Sequence, residues 1–182
     1  QETKTKTLED TKLHDEVKKK NIDMVRYLVE KGALINALNK GEWTPLHLAC
    51  GFGLKTIASY LIEKGAKINK KGWNQWTPLH NASNFGHEHM VSYLIENGAK
   101  INAKNTQNNT PLQLALAQGR DSVVMTLIEK GAELDNKNIY GNTALHMCSS
   151  GEVTSPKIFK ALVENGANIS IKDINGLTPI HY

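Results

Sequence analysis

The chain is predicted to be all-α: an α-solenoid of stacked helix-turn-helix-finger repeats, with four full units between an N-terminal cap unit and a truncated C-terminal unit. Two observations predict it. The dipeptide Gly-Ala recurs at Gly32-Ala33, Gly65-Ala66, Gly98-Ala99, Gly131-Ala132 and Gly166-Ala167, in steps of 33, 33, 33 and 35 residues. A second word keeps that step, at Thr44-Pro45-Leu46-His47, Thr77-Pro78-Leu79-His80, Thr110-Pro111-Leu112-Gln113, Thr143-Ala144-Leu145-His146 and Thr178-Pro179-Ile180-His181. Two words locked to one period mean that each unit covers its neighbour's apolar face.

Each element follows from its residues. At the front, Thr11-Lys12-Leu13-His14 lies 33 residues before Thr44-Pro45-Leu46-His47, and Met24, Val25, Leu28 and Val29 fit a second helix. Residues 11–38 therefore read as a cap unit behind a polar lead-in at 1–10. The cap lacks the proline and has Glu16 where other units carry Ala, as suits a polar end. Full units follow at 39–71, 72–104, 105–137 and 138–172, and 173–182 opens another, so that 11–182 form a single repeat domain.

In the unit 72–104, Thr77 before Pro78 reads as an N-cap followed by proline at the first helical position, where its missing N–H costs nothing. Leu79, Ala82 and Ser83 follow, small enough for close helix contact, and Gly86 stops this short helix. A second helix is predicted over Glu88 to Glu96, with Met90, Val91, Leu94 and Ile95 forming one buried stripe. Asn97-Gly98 ends it, glycine suiting the left-handed position after a helix. Residues 99–109 are polar and turn-rich, and project as a loop or β-hairpin finger. Unit four carries two extra residues in 149–155, predicted to bulge between its helices, with Pro156 tolerated at the start of the second.

Composition agrees. Hydrophobic residues make up 40% and aromatics only 6%, which suits thin helix-on-helix contacts built from Leu, Ile, Val and Ala. The net charge is +4, and the one dense basic run, Lys18-Lys19-Lys20, reads as a solvated helix end. Cys50 and Cys148 stand three units apart, too far for a disulfide, and point to reduced thiols in an intracellular, cytoplasmic setting. No run approaches a transmembrane or signal segment. The chain begins without Met and stops shortly into a new unit, so it reads as a piece of a longer protein.

The words T-P-L-H-x-A and L-(I/L)-x-x-G-A, both in register, resemble the ankyrin repeat family over nearly the whole chain. Departures are few. Glycine two residues before the Thr is kept at Gly141 and Gly176 and replaced by Glu42, Gln75 and Asn108; Gln113 replaces the usual His.

Catalytic chemistry finds no foothold, and the chain is not expected to be an enzyme. There is no phosphate loop and no nucleophile elbow. His14, His47, His80, His146 and His181 form a periodic row. Stacked helices are about 10 Å apart, whereas a shared metal needs ligands near 2 Å. The resemblance implies instead that each ring bonds backbone near its own helix and braces the finger. His87-Glu88-His89 lacks the i, i+4 pair of a zinc helix. No cofactor or metal is expected.

The resemblance further implies that partners dock on the concave face, built from finger tips and the first helix of each unit. There the varying residues include all three tryptophans and two of the three phenylalanines. The candidate partner-binding residues are Trp43, Leu48, Phe52, Trp73, Trp76, Asn81, Phe85, Tyr140 and Met147. They predict an aromatic groove over units one and two, reaching to Tyr140 and Met147, that receives an apolar or aromatic segment of another protein. Finger-base rings, Trp43 and Trp76 above all, have the alternative role of stacking on neighbouring fingers. The function predicted is that of a monomeric scaffold or adaptor segment of a larger protein. Binding of nucleic acid or an anionic membrane through lysines such as Lys40, Lys67, Lys70 and Lys71 is the alternative, and no nucleic acid is expected. The resemblance also marks Asn36, Asn69 and Asn102 as candidates for enzymatic hydroxylation.

Overall fold

A computed structural model describes residues 12–149 and 156–182. The predicted lead-in at 1–10, Thr11 of the cap, and all but Ser149 of the bulge expected within 149–155 lie outside the described residues. A helix at 12–18 (α1) precedes α2 (Ile22–Glu30). Four helix pairs follow: α3 (Pro45–Gly51) with α4 (Lys55–Glu63), α5 (Pro78–Phe85) with α6 (Glu88–Glu96), α7 (Pro111–Ala117) with α8 (Asp121–Glu129), and α9 (Ala144–Ser149) with α10 (Pro156–Glu164). A 3-10 turn at Pro179–His181 opens the last unit. No helix among the described residues is long and apolar enough to cross a membrane.

The first helices stack in series, α3 on α5, α5 on α7, α7 on α9 and α9 on the final turn. The second helices back them, with α2 on α4, α6 on α8 and α8 on α10 in contact. Small residues make the first layer possible: Ala49, Ala82 and Ala115 are wholly buried, and Cys148 takes the equivalent place. Leu46, Leu79, Leu112 and Leu145 fill the space beside them, while Leu61, Leu94, Leu127 and Leu162 do the same for the second layer. Each such leucine contributes about 1.5–3 kcal/mol by leaving water.

The first helices α3, α5 and α7 and the final turn are each clamped by a reciprocal cap. In unit one the Thr44 hydroxyl accepts the His47 backbone N–H at 3.3 Å, and His47 Nδ1 accepts the Thr44 N–H at 3.3 Å. The far nitrogen does something the repeat words do not announce. His47 Nε2 donates to the Trp76 carbonyl at 2.9 Å, in the next unit's finger. His14 reaches Trp43 O (2.8 Å), His80 reaches Asn109 O (3.1 Å) and His146 reaches Leu177 O (3.1 Å). The expected bond to backbone beside its own helix forms through Nδ1, and the far nitrogen adds a bridge between units. Gln113 reproduces it, its Oε1 accepting the Thr110 N–H at 3.0 Å and its Nε2 donating to Asn142 O at 2.9 Å.

The fingers are turns with no strand pairing among the described residues, so the hairpin alternative is not formed. Each is closed by main-chain bonds across the turn, such as Asn39 N–H to Trp43 O and Glu42 N–H to Asn39 O, both at 2.9 Å. The position two before the threonine is left-handed in all five fingers, with φ of 60° at Glu42, 57° at Gln75 and Asn108, 75° at Gly141 and 77° at Gly176. That explains the family's glycine and makes Glu42 and Gln75 strained substitutes. Neighbouring fingers are tied by single bonds, from Trp73 N–H to Glu42 O (3.1 Å) through Ile174 N–H to Tyr140 O (3.1 Å).

Glu16 departs from expectation. It is buried rather than solvated, and holds Lys19 at 2.9 Å, while Lys18 pairs with Asp15. Both cysteines are buried; burial pushes the Cys50 thiol up, and the Cys148 thiol up to about 12, which leaves them protonated and inert.

A second ladder joins the units behind the fingers. Asn69 Nδ2 donates to Gly98 O at 3.0 Å and Asn69 Oδ1 accepts the Lys100 N–H at 2.8 Å, and Asn36 does the same one unit earlier. Asn69→Ala removes both bonds and is expected to cost about 1–2 kcal/mol in urea denaturation, with Asn69→Asp falling between it and wild type.

Acid should loosen the other joint. Burial holds His47 and His80 neutral, down at about 4 from an ordinary 6.5. A folded pKa below the unfolded one gives stabilisation that is complete above about 6.5 and lost as pH falls through 4, on the order of 3 kcal/mol per ring. His80→Gln copies the Gln113 arrangement with a group that does not titrate. It should keep its stability at pH 7 within about 1 kcal/mol and lose roughly half of the acid sensitivity between pH 6.5 and 4. An unchanged pH profile would show that these rings do not govern the loss.

A candidate aromatic cleft

The bridges above fix the backbone on either side of a hollow between units one and two. His47 holds the Trp76 carbonyl from within α3, and His14 holds the Trp43 carbonyl from α1. Between them opens a cleft of about 290 Å³. Its walls include Trp43, Leu48, Phe52, Asn81 and Phe85, all of them predicted site residues, together with His47 and Gly51. Phe52 and Phe85 are 51% and 52% exposed, unusual for rings of this size in a chain with aliphatics to spare for its core.

Trp73 and Trp76 reach the cleft through Trp43. The three indoles form a triangle with centroids 6.1, 6.2 and 6.5 Å apart, tilted or edge-on, as the ring quadrupole favours. The stacking alternative thus describes Trp43 and Trp76, and extends to Trp73, which is still 48% exposed. The reason lies in finger two. Other fingers begin with Asn39, Asn105, Asn138 or Asp173, whose side-chain oxygen accepts two backbone N–H groups of the turn. Unit two has Gly72 instead, and a side-chain carbon there would lie 2.5 Å from Glu42 O. Glycine lets finger two close on finger one, and Asn74 and Gln75 both turn left-handed to carry Trp73 over Trp43.

Tyr140 and Met147 do not line this cleft. Tyr140 is exposed two units away, and Met147 packs against the core. Unit three interposes no ring, its corresponding positions being Leu114, Ala117 and Gln118. Asn81 is a buried wall residue rather than an open contact, its amide nitrogen donating to His47 O at 3.4 Å. Two wall residues stand outside the candidate list, although the repeat register counts Gly51 among the varying concave-face positions of unit one. His47 belongs to the cap motif, and Gly51 contributes by having no side chain; a glycine where units two and three have Asn84 and Ala117 is the signal that marks it. The floor is held from behind by His87, whose Nε2 bonds Gly51 O at 2.8 Å.

No wall residue is charged at neutral pH, since burial keeps His47 neutral. Among the described residues no group of three His, Cys, Asp or Glu side chains is placed to hold a metal ion. The arrangement offers shape and apolar surface for binding.

Comparison with known proteins agrees with the repeat geometry. A family model of three-copy ankyrin repeats matches residues 2–72 and 70–138, and a single ankyrin-repeat model matches 140–174. A stretch of 46 residues is 46% identical to Protein phosphatase 1 regulatory subunit 27 of Homo sapiens, covering 25% of this chain and 30% of that protein. The chain thus matches under a third of that relative's length. With family matches over most of its length and helix pairs stacked in register, the chain belongs to the ankyrin-repeat family.

Proposed function

We propose that this chain is a non-enzymatic interaction module, acting as a monomer inside the cell, whose cleft over units one and two receives an apolar or aromatic segment of a partner protein. Ankyrin repeats are protein-interaction modules. The observation that carries the finer reading is the gathering of Trp43, Phe52 and Phe85 around one uncharged hollow, with Trp73 stacked beside them. Phe52, Phe85 and Trp73 are already about half covered, so burying the rest of one ring removes roughly 75–125 Å² from water, about 2–3 kcal/mol gross at 25 cal/mol per Å² before association costs. Two or three engaged rings thus supply about 4–9 kcal/mol gross, which makes them leading contributors to an affinity built with the partner's other contacts. The human relative's name, a regulatory subunit, accords with a chain that acts through another protein.

The lysines give less support to a nucleic-acid or membrane surface. Lys31, Lys55 and Lys64 lie over tyrosine rings and Lys130 pairs with Glu96, so these cations are engaged singly along the stack. A peptide selected from a displayed random library serves as ligand for the test. Trp73→Ala combined with Phe85→Ala should weaken its binding at least about tenfold with helix content by circular dichroism retained. Unchanged affinity would remove the groove. Affinity that collapses between low and moderate salt would favour the electrostatic reading.

A further inference from the structure

The cleft is lined mainly by rings and hydrocarbon. His47 gives one ring nitrogen to Thr44 and the other to the Trp76 carbonyl. The Asn81 amide nitrogen faces His47 O, while its Oδ1 is buried without a hydrogen-bond partner. The Trp43 indole nitrogen lies beside Gly41 in the finger. The lining carries no charge although the chain carries a net +4. A charged side chain entering here would shed its water and find no counter-charge, and a hydroxyl would face mostly hydrocarbon, whereas a hydrocarbon loses nothing.

The hollow owes its depth to one position. Gly51 ends α3, and a side-chain carbon placed on it would lie 3.5 Å from the Asn81 amide nitrogen and 3.6 Å from the Phe85 ring. Those are ordinary contact distances, so a methyl group fits there without strain, and anything longer projects into the space a ligand would occupy. At about 290 Å³ the cleft lies at the low end of ligand sites, which run from about 300 to 1,000 Å³. That is room for one large side chain rather than a whole helix face.

We propose that Gly51 makes this cleft a single-residue anchor, taking one plain hydrocarbon side chain (Leu, Ile, Met or Phe) from an exposed segment of a partner protein. The proposal rests on the groove reading above and adds to it the chemistry of the anchor and the residue that sets its size. Gly51 is then the specificity determinant. Larger residues at 51 exclude the anchor without touching the partner's other contacts.

The test uses random peptides displayed on phage and selected against the whole chain. The best binders are synthesised and titrated by calorimetry against wild type, Gly51→Ala, Gly51→Leu and the Trp73/Phe85 double variant. Each peptide should depend on one hydrocarbon residue, whose replacement by Ala, Ser, Lys or Glu weakens binding at least about 30-fold. Gly51→Leu should lose at least about 30-fold while melting no lower than wild type, since glycine is the poorer helix residue. Should the leucine variant fold poorly, Gly51→Ala carries the test, with a smaller loss at full thermal stability. Peptides anchored through a charged or hydroxyl-bearing residue would overturn the proposal, as would wild-type affinity in the folded Gly51 variants. If only the Trp73/Phe85 variant loses binding, the groove stands and the anchor falls; if no peptide is selected, or no variant weakens binding, both fall.

Discussion

The bond from a buried ring in one unit to the carbonyl ahead of the next unit's threonine is the joint on which this stack depends. It is local and long-range at once. One side of His47 closes the cap that starts its own helix, and the other side fixes where the next finger begins. A helix of seven residues (Pro45–Gly51) is too short to be stable alone, so cap, bridge and stacking must form together. The Gln113 substitution shows what the joint requires: an acceptor facing backward and a donor facing forward, with the ring itself dispensable.

That joint explains how a uniform core carries a non-uniform surface. Leucine and alanine repeat at fixed places and hold every unit in the same pose. Residues between those places are then free to differ, and in units one and two they are rings. The carbonyls of Trp43 and Trp76 are the very atoms the bridges hold, so the walls of the cleft are placed by the fold's own register. Both thiols are buried, and His14, His47, His80, His87, His146 and His181 are engaged in holding backbone.

Much of the fold is legible in the words themselves. Thr-Pro marks the first helices of units one to three, and the stripe from Met90 to Ile95 sits in a helix bounded at Glu88 and Glu96. The period also places Phe52 and Phe85 on one face, one unit apart. It does not tell which rings meet. Trp73 leans on Trp43 because Gly72 removes an asparagine scaffold and lets two fingers approach, a consequence of one missing side chain rather than of any repeat. Tyr140 and Met147 share the face in principle but stand beyond a unit without rings. Glu16 looked like a solvated cap residue by composition, yet its neighbours draw it inward with Lys19 as counter-charge. Periodicity assigns faces; contacts between units need the turn geometry.

The central claim is that the face built by the first helices and fingers of units one and two is where a partner docks. A 1H–15N NMR titration with a selected peptide tests it most directly, because the three indole N–H signals report on the cleft by themselves. The account predicts shifts concentrated at Trp43, Gly51, Phe52 and Phe85, with α4 and α6 unmoved. Shifts concentrated instead on Tyr27, Tyr60 and Tyr93, along the second helices, would contradict it.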